Sequence, residues 1–346
     1  MTLDDLLSIA VEKRASDLHI AVGKPPILRI DGALSPMENY DIITPENAQE
    51  LVFGILSDIQ KERLIKDREI DISHEIQDVS RFRVNIHWEK NCIGLVARVV
   101  TSLTPTMEEL EMPKVVYNLL DEKQGLILIT GPTGCGKSTS LAAMINYINS
   151  TRSANIITLE DPIEFIYKPK KSIIKQRQLG SDMLSFADAL KHVLRQDPNV
   201  ILVGEMRDLE TIAATITLAE TGHLVLATLH TYSAAQTVDR IIDVFPPYQQ
   251  SQVRLQLSMF LKGVISQQLI PKVSKGRVAA REILINTPAI SNLIRENKIA
   301  QIKTVIQTGV ANGMKTMDQD LKRLYKESII SKDIAKSYMM NPETMK

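Results

Sequence analysis

Cysteine is scarce: the 346 residues hold two, Cys92 and Cys135. They stand far apart and form no CxxC pair, so a disulfide framework and a four-cysteine zinc site are both excluded. Reduced thiols in a cytosolic chain are expected. Net charge is missing as well, with 41 Lys and Arg against 41 Asp and Glu. Residues before 99 carry 12 basic and 17 acidic side chains, and the remainder 29 and 24. Neither part has the basic excess of a nucleic-acid binder, and a single tryptophan adds little to that case. No apolar run approaches the roughly 20 residues that span a bilayer. The acidic start, Met1-Thr-Leu-Asp-Asp-Leu-Leu7, reads as an amphipathic helix and not as a signal peptide. What is present is ordinary for a globular chain, 44% apolar and 24% charged, at a length that suggests two domains.

The stretch that organises the chain is Gly131-Pro-Thr133-Gly134-Cys135-Gly136-Lys137-Ser138-Thr139. An apolar run, Gly125–Thr130, precedes it as a buried strand, and Leu141–Ile148 follows as a helix. That strand, loop and helix are the setting a phosphate-binding P-loop needs. The glycines let backbone N–H groups wrap phosphates, Lys137 adds positive charge near the β- and γ-phosphates, and Ser138 offers a hydroxyl to Mg²⁺. Binding of a nucleoside triphosphate, ATP with Mg²⁺, is the expectation.

Residues 1–100 read as a small α/β domain. A helix ends near Arg14, strands cover 16–20 and 27–32, and Thr44-Pro45 caps a helix to about Ile55. Further strands are expected at 70–75, 81–87 and 94–100. Alternation puts Arg81, Arg83 and Asn85 on one face, with Arg98 on a neighbouring strand. On spacing alone this is a solvated polar face; the alternative is an arginine cluster aimed at a phosphate. Residues 101–113, polar with two prolines, read as a linker. Across 114–346, alternating strands and helices at 126–130, 138–149, 155–159, 183–195, 200–204, 208–220, 224–229 and 233–243 argue for an α/β domain around a mostly parallel sheet. The tail from 248 reads as mainly helical.

Three segments place polar groups just beyond a strand, where open α/β sheets bind ligands. Asn155–Glu164 delivers three carboxylates, Glu160, Asp161 and Glu164, any of which could accept a proton from an attacking water. Asn199–Asp208 is a Walker B-like run in which Glu205 follows Gly204, suited to Mg²⁺ directly or through water. In Thr221–Thr231, His223 and His230 bracket a strand that would part the rings by roughly 20 Å, too far to share a metal.

Together these segments closely resemble the PilT-like type IV pilus retraction ATPases within the secretion-ATPase superfamily. The likeness covers nearly the whole chain: Ala15–Ile20, Pro25–Gly32, Arg81–Asn85, Thr106–Leu110, the P-loop, Leu159–Phe165, Leu202–Thr211, Glu220–Leu224 with Thr228–Thr231, Gly276–Ile283 and Thr287–Arg295. It implies an α/β fold with a RecA-like P-loop ATPase domain and a smaller PAS-like N-terminal domain. It also implies a homohexameric ring, ATP held between the domains, and ATP hydrolysis powering pilus retraction and twitching motility. The implied place is cytoplasmic, at the inner face of the membrane, with an inner-membrane platform protein as partner, pilin indirectly, and neither nucleic acid nor membrane insertion.

By the resemblance, Glu164 is the catalytic base, Glu205 works on Mg²⁺ and water, and Arg81, Arg83 and Arg98 act on nucleotide phosphates. His223 and His230 couple nucleotide state to domain movement. Tyr232, the segment Ile86–Asn91 and Arg281 depart from the family pattern. An extension or secretion ATPase of the same superfamily would usually carry an extra N-terminal region and a four-cysteine insertion. A scaffold with little turnover is the other alternative; a GTP switch is disfavoured because Asn297-Lys298 is followed by Ile-Ala and not by x-Asp.

Overall fold

The computed structural model describes residues 2–77, 79–100 and 104–345. The chain divides into two compact units, Met1–Leu103 with Pro162–Ile166, and Thr104–Asp161 with Tyr167–Lys346. That boundary falls within the 101–113 segment, of which 101–103 lie outside the described residues.

The smaller unit is built on an antiparallel sheet of β1 (Asp17–Ile20), β2 (Ile27–Ile30), β3 (Ala33–Pro36), β4 (Glu69–Ile76), β5 (Ser80–Glu89) and β6 (Cys92–Val100). Its strand order is β3-β2-β1-β6-β5-β4. The expected alternation in β5 holds: Phe82, Val84 and Ile86 are fully buried against the apolar sides of helices Leu3–Glu12 and Pro45–Phe53. Both helices start on a threonine cap, Thr2 with a reciprocal Asp5 box and Thr44 ahead of Pro45. A third helix, Asp58–Asp67, is absent from the sequence expectation. It buries only Leu64, so its apolar period is faint, although Ser57 and Gln60 form a capping box.

The larger unit carries a seven-stranded sheet in the order β13-β12-β7-β11-β10-β8-β9. Its strands are β7 (Gly125–Thr130), β8 (Asn155–Glu160), β9 (Ile173–Gln178), β10 (Val200–Val203), β11 (Leu224–Leu229), β12 (Leu261–Pro271) and β13 (Arg277–Ile285). All neighbours are parallel except β12 and β13. Every residue of β7, β10 and β11 is buried, as expected for parallel strands covered on both faces.

The expectation of a mainly helical tail needs correction, because two of its longest elements are strands. Helix Pro247–Phe260 runs into β12 at Leu261 with no turn residue between them, so nothing in the sequence marks the change. β12 supplies the second neighbour of β7. β9, also unexpected, is an edge strand of sequence Ile-Ile-Lys-Gln-Arg-Gln with one buried residue.

Candidate active site

The parallel register sets the site. Leu229 of β11 pairs with Thr130 of β7, and Val203 of β10 pairs with both Ala227 and Leu159. The four strands therefore end together, and the loops beyond them carry the P-loop, His230, Glu205 and Asp161 at one edge. His223 lies at the opposite end of β11, its Nδ1 3.1 Å from Leu218 O and 3.3 Å from Thr221 Oγ1.

Within the P-loop, Gly134 and Gly136 take left-handed backbone, φ 76° and 87°. Successive amides can then face one concavity, which leads into helix Lys137–Thr151. A Cβ at Gly134 would meet nothing within 4 Å, whereas one at Gly131 would run into the backbone of Gln267. Lys137 Nζ donates to Gly131 O at 2.8 Å and Pro132 O at 3.0 Å. Ser138 and Thr139, both half-buried, occupy the first turn of the helix, while Thr133 is exposed at the loop tip. Cys135 is buried, and burial pushes its thiol above the ordinary range.

Sequence reasoning missed Gln267. It sits on β12, 1% exposed, and holds the loop from behind. Its Nε2 donates to Cys135 O at 2.9 Å, and its Oε1 accepts from Ser140 Oγ at 2.9 Å. The sequence held no signal for it, because the strand that buries it was itself unexpected; once β12 is in place, a buried glutamine must find partners.

Beyond β10 the ladder continues past the strand. Thr228 Oγ1 donates to Gly204 O at 2.5 Å, and Met206 N to Thr228 O at 3.1 Å. A Cβ at Gly204 would press on Leu159 O at 3.1 Å and Glu160 Cα at 3.3 Å, which explains glycine there. These contacts aim Glu205 toward His230, whose Nε2 is 3.6 Å from Glu205 Oε2. Arg207 Nη2 lies 2.5 Å from Glu205 Oε1, a second neighbour the sequence reading did not assign. Glu160 is buried, and its Oε1 accepts from Thr158 Oγ1 at 2.6 Å and Gln176 Nε2 at 3.2 Å.

Glu164 is exposed and belongs with the smaller unit. There Arg83 and Arg98 are direct cross-strand partners, and Arg98 in turn pairs with Asp17 of β1. Arg98 Nε donates to Asp17 Oδ1 at 2.8 Å, and Arg29 Nε is 3.7 Å from Oδ2. Burial alone would raise the Asp17 carboxyl, but the Ser16 hydroxyl and Arg98 outweigh it and hold it below the usual range. Arg81, half-buried, precedes Arg83 on the same face.

The residues fit a nucleotide and a divalent cation. The loop is an amide-lined cradle with a lysine, and Ser138 and Glu205 are the hydroxyl and carboxylate such a cation takes beside phosphate and water oxygens. Among the described residues no three His, Cys, Asp or Glu cluster as a metal cage, and this type of site requires none. No helix among them is long and apolar enough to cross a membrane.

The Type II/IV secretion system protein family matches residues 1–341, and the chain belongs to it. Its fold is that family's, a RecA-like ATPase domain with an N-terminal domain. Among relatives, the "Type IV pilus retractation ATPase PilT" of Pseudomonas aeruginosa is 48% identical over 343 residues, covering 99% of both chains. The "Twitching motility protein" of Neisseria gonorrhoeae is 48% identical over 321 residues, covering 92% of this chain and 86% of that one. A crystal structure of the pilus retraction motor PilT with bound ADP matches with a TM-score of 0.93 at 45% identity, covering 99% of this chain and 98% of the other.

Proposed function

We propose that this chain is an ATP-hydrolysing motor that powers type IV pilus retraction. It works as a ring of six copies at the inner face of the cytoplasmic membrane, against an inner-membrane platform protein. The observation that carries this reading is 48% identity across 99% of both chains to a retraction ATPase. The P-loop geometry supplies the chemistry.

In this reading the amides of residues 131–137 and the Lys137 ammonium hold the β- and γ-phosphates. Lys137 exchanges its two carbonyl partners, Gly131 and Pro132, for phosphate oxygens. Ser138 and Glu205 would hold Mg²⁺, which would supply positive charge to offset that of the phosphates. Glu164 accepts the proton of the attacking water. His230, beside Glu205, registers whether that carboxylate is engaged. A role for Arg81, Arg83 and Arg98 on the nucleotide rests on the family resemblance, since spacing alone gives a solvated polar face. Loss of the γ-phosphate removes these contacts and releases the arrangement they favoured.

Lys137→Ala tests the site: nucleotide binding or steady-state ATPase falls to background, and unchanged turnover would rule it out. Glu164→Ala keeps nucleotide binding and loses hydrolysis. Normal turnover in that variant would assign the base role to Glu205.

A further inference from the structure

Four buried hydroxyls run from the P-loop strand to the turn that carries His230. Thr130, the last residue of β7, has its Oγ1 2.7 Å from Ser266 Oγ of β12. Thr237, in the first turns of helix Ala234–Asp243, has its Oγ1 2.7 Å from Thr231 Oγ1 and 3.5 Å from Thr130 Oγ1. Thr130, Thr237 and Ser266 are 0% exposed and Thr231 7%. The backbone neighbours matter most: Thr130 precedes Gly131, and Thr231 follows His230.

Each hydroxyl has one proton and two acceptor positions, which limits the pattern. Thr237 Oγ1 gives its proton to Ser233 O at 2.7 Å, so it can only accept from the other threonines. Thr231 is then its donor on the His230 side. Either hydroxyl can donate in the 2.7 Å contact of Thr130 with Ser266; when Ser266 donates, the Thr130 proton is left for Thr237 at 3.5 Å. The longer contact is at the limit of a hydrogen bond, so a shift of a few tenths of an ångström at either backbone decides whether it forms. At the far end, His230 Nε2 is 3.6 Å from Glu205 Oε2, also just beyond a hydrogen bond. Valine would fill each threonine site with less desolvation, so four hydroxyls in this position are there for their bonds.

We infer that Thr237 is a positioning residue for ATP turnover: its hydroxyl ties the His230 turn to the end of the P-loop strand and so sets His230 against Glu205. This rests on the reading of the chain as an ATP hydrolase. None of the four hydroxyls belongs to the phosphate-holding loop 131–138, so nucleotide affinity is left to that loop.

The experiment uses the full chain and measures steady-state ATPase together with equilibrium binding of fluorescent ADP. Thr237→Val lowers kcat about three- to tenfold, the worth of one ordinary hydrogen bond, and leaves the Kd for ADP within about twofold. Thr237→Ser, which keeps the hydroxyl, restores kcat. Thr231→Val gives the same split and serves if Thr237→Val does not fold. Unchanged kcat in the valine variants, a matching loss of ADP affinity, or no rescue by serine would each overturn the inference while wild-type turnover stands. A wild-type chain with turnover no higher than Lys137→Ala would instead overturn the functional reading, and the inference with it.

Discussion

At the scale of single residues, the P-loop depends on a side chain 130 or so positions away in sequence. Gln267 satisfies the Cys135 carbonyl and the Ser140 hydroxyl, both on buried residues. Gln267→Leu conserves volume and removes both bonds. The expected cost is about 1–3 kcal/mol of stability, because two polar groups are orphaned, together with weaker ADP binding from a loosened loop. Thermal unfolding and an ADP titration measure the two effects, and a variant with wild-type values in both would deny Gln267 this role. Glu205 shows the same economy of means. Its direction comes from Thr228 and Met206 bonding across the ends of β10 and β11, so those backbone contacts aim the carboxylate as much as its own rotamer does.

At the scale of elements, Asp320 joins β13 to the helix Met317–Lys326. Its carboxylate, 1% exposed, accepts from the Arg281 backbone N–H at 2.8 Å, from Lys315 Nζ at 2.6 Å and from Arg323 Nε at 2.9 Å. Arg281 extends the network, its guanidinium donating to Leu110 O at 2.9 Å and Glu111 O at 3.4 Å. Burial by itself would raise the Asp320 carboxyl; Lys315 and Arg323 outweigh it and hold it below the ordinary value. A carboxyl lowered on folding stabilises above its unfolded pKa, and that contribution is lost as pH falls through the folded pKa. Asp320→Ala strands Lys315 and the Arg281 N–H, while Arg323 keeps Glu327 at 2.6 Å, at a cost of about 3–5 kcal/mol at neutral pH. The difference from wild type shrinks on acidification below the ordinary carboxylate range, which urea unfolding at several pH values would reveal; a constant difference would refute the argument.

The same scale shows which elements were legible. β7, β10 and β11 were plain because continuous apolar runs meet glycines and polar loop residues at their ends. Glu205, His230 and the P-loop followed from those strands. β12 was hidden because a helix passes into it without a break, and its buried polar residues Ser266 and Gln267 interrupt the apolar pattern. β9 was hidden because an edge strand need not be apolar. Asp17 was hidden because its pairing with Arg98 joins residues 81 apart, which no local period reports.

At the scale of the whole molecule, the proposed motor predicts a phenotype. Host cells lacking the protein carry excess surface pili and lose twitching, since fibres still assemble and are not withdrawn. Bald cells would mean that the chain serves assembly instead, and the absence of a four-cysteine insertion would have been a poor guide. Pilus counts by electron microscopy beside a surface-motility assay separate the two.

The position of β12 also bears on how the chain comes off the ribosome. β7 and its loop emerge early, yet the bond from Gln267 to Cys135 closes across 132 residues. At typical synthesis rates that interval lasts on the order of ten seconds. For that time the nascent chain displays its phosphate-binding motif without the strand that steadies it, and ATP, abundant in the cell, meets a cradle still open at the back. Competence to grip a nucleotide is therefore a late event in the biogenesis of this protein, deferred until translation has passed the helix Pro247–Phe260 and delivered the strand beyond it.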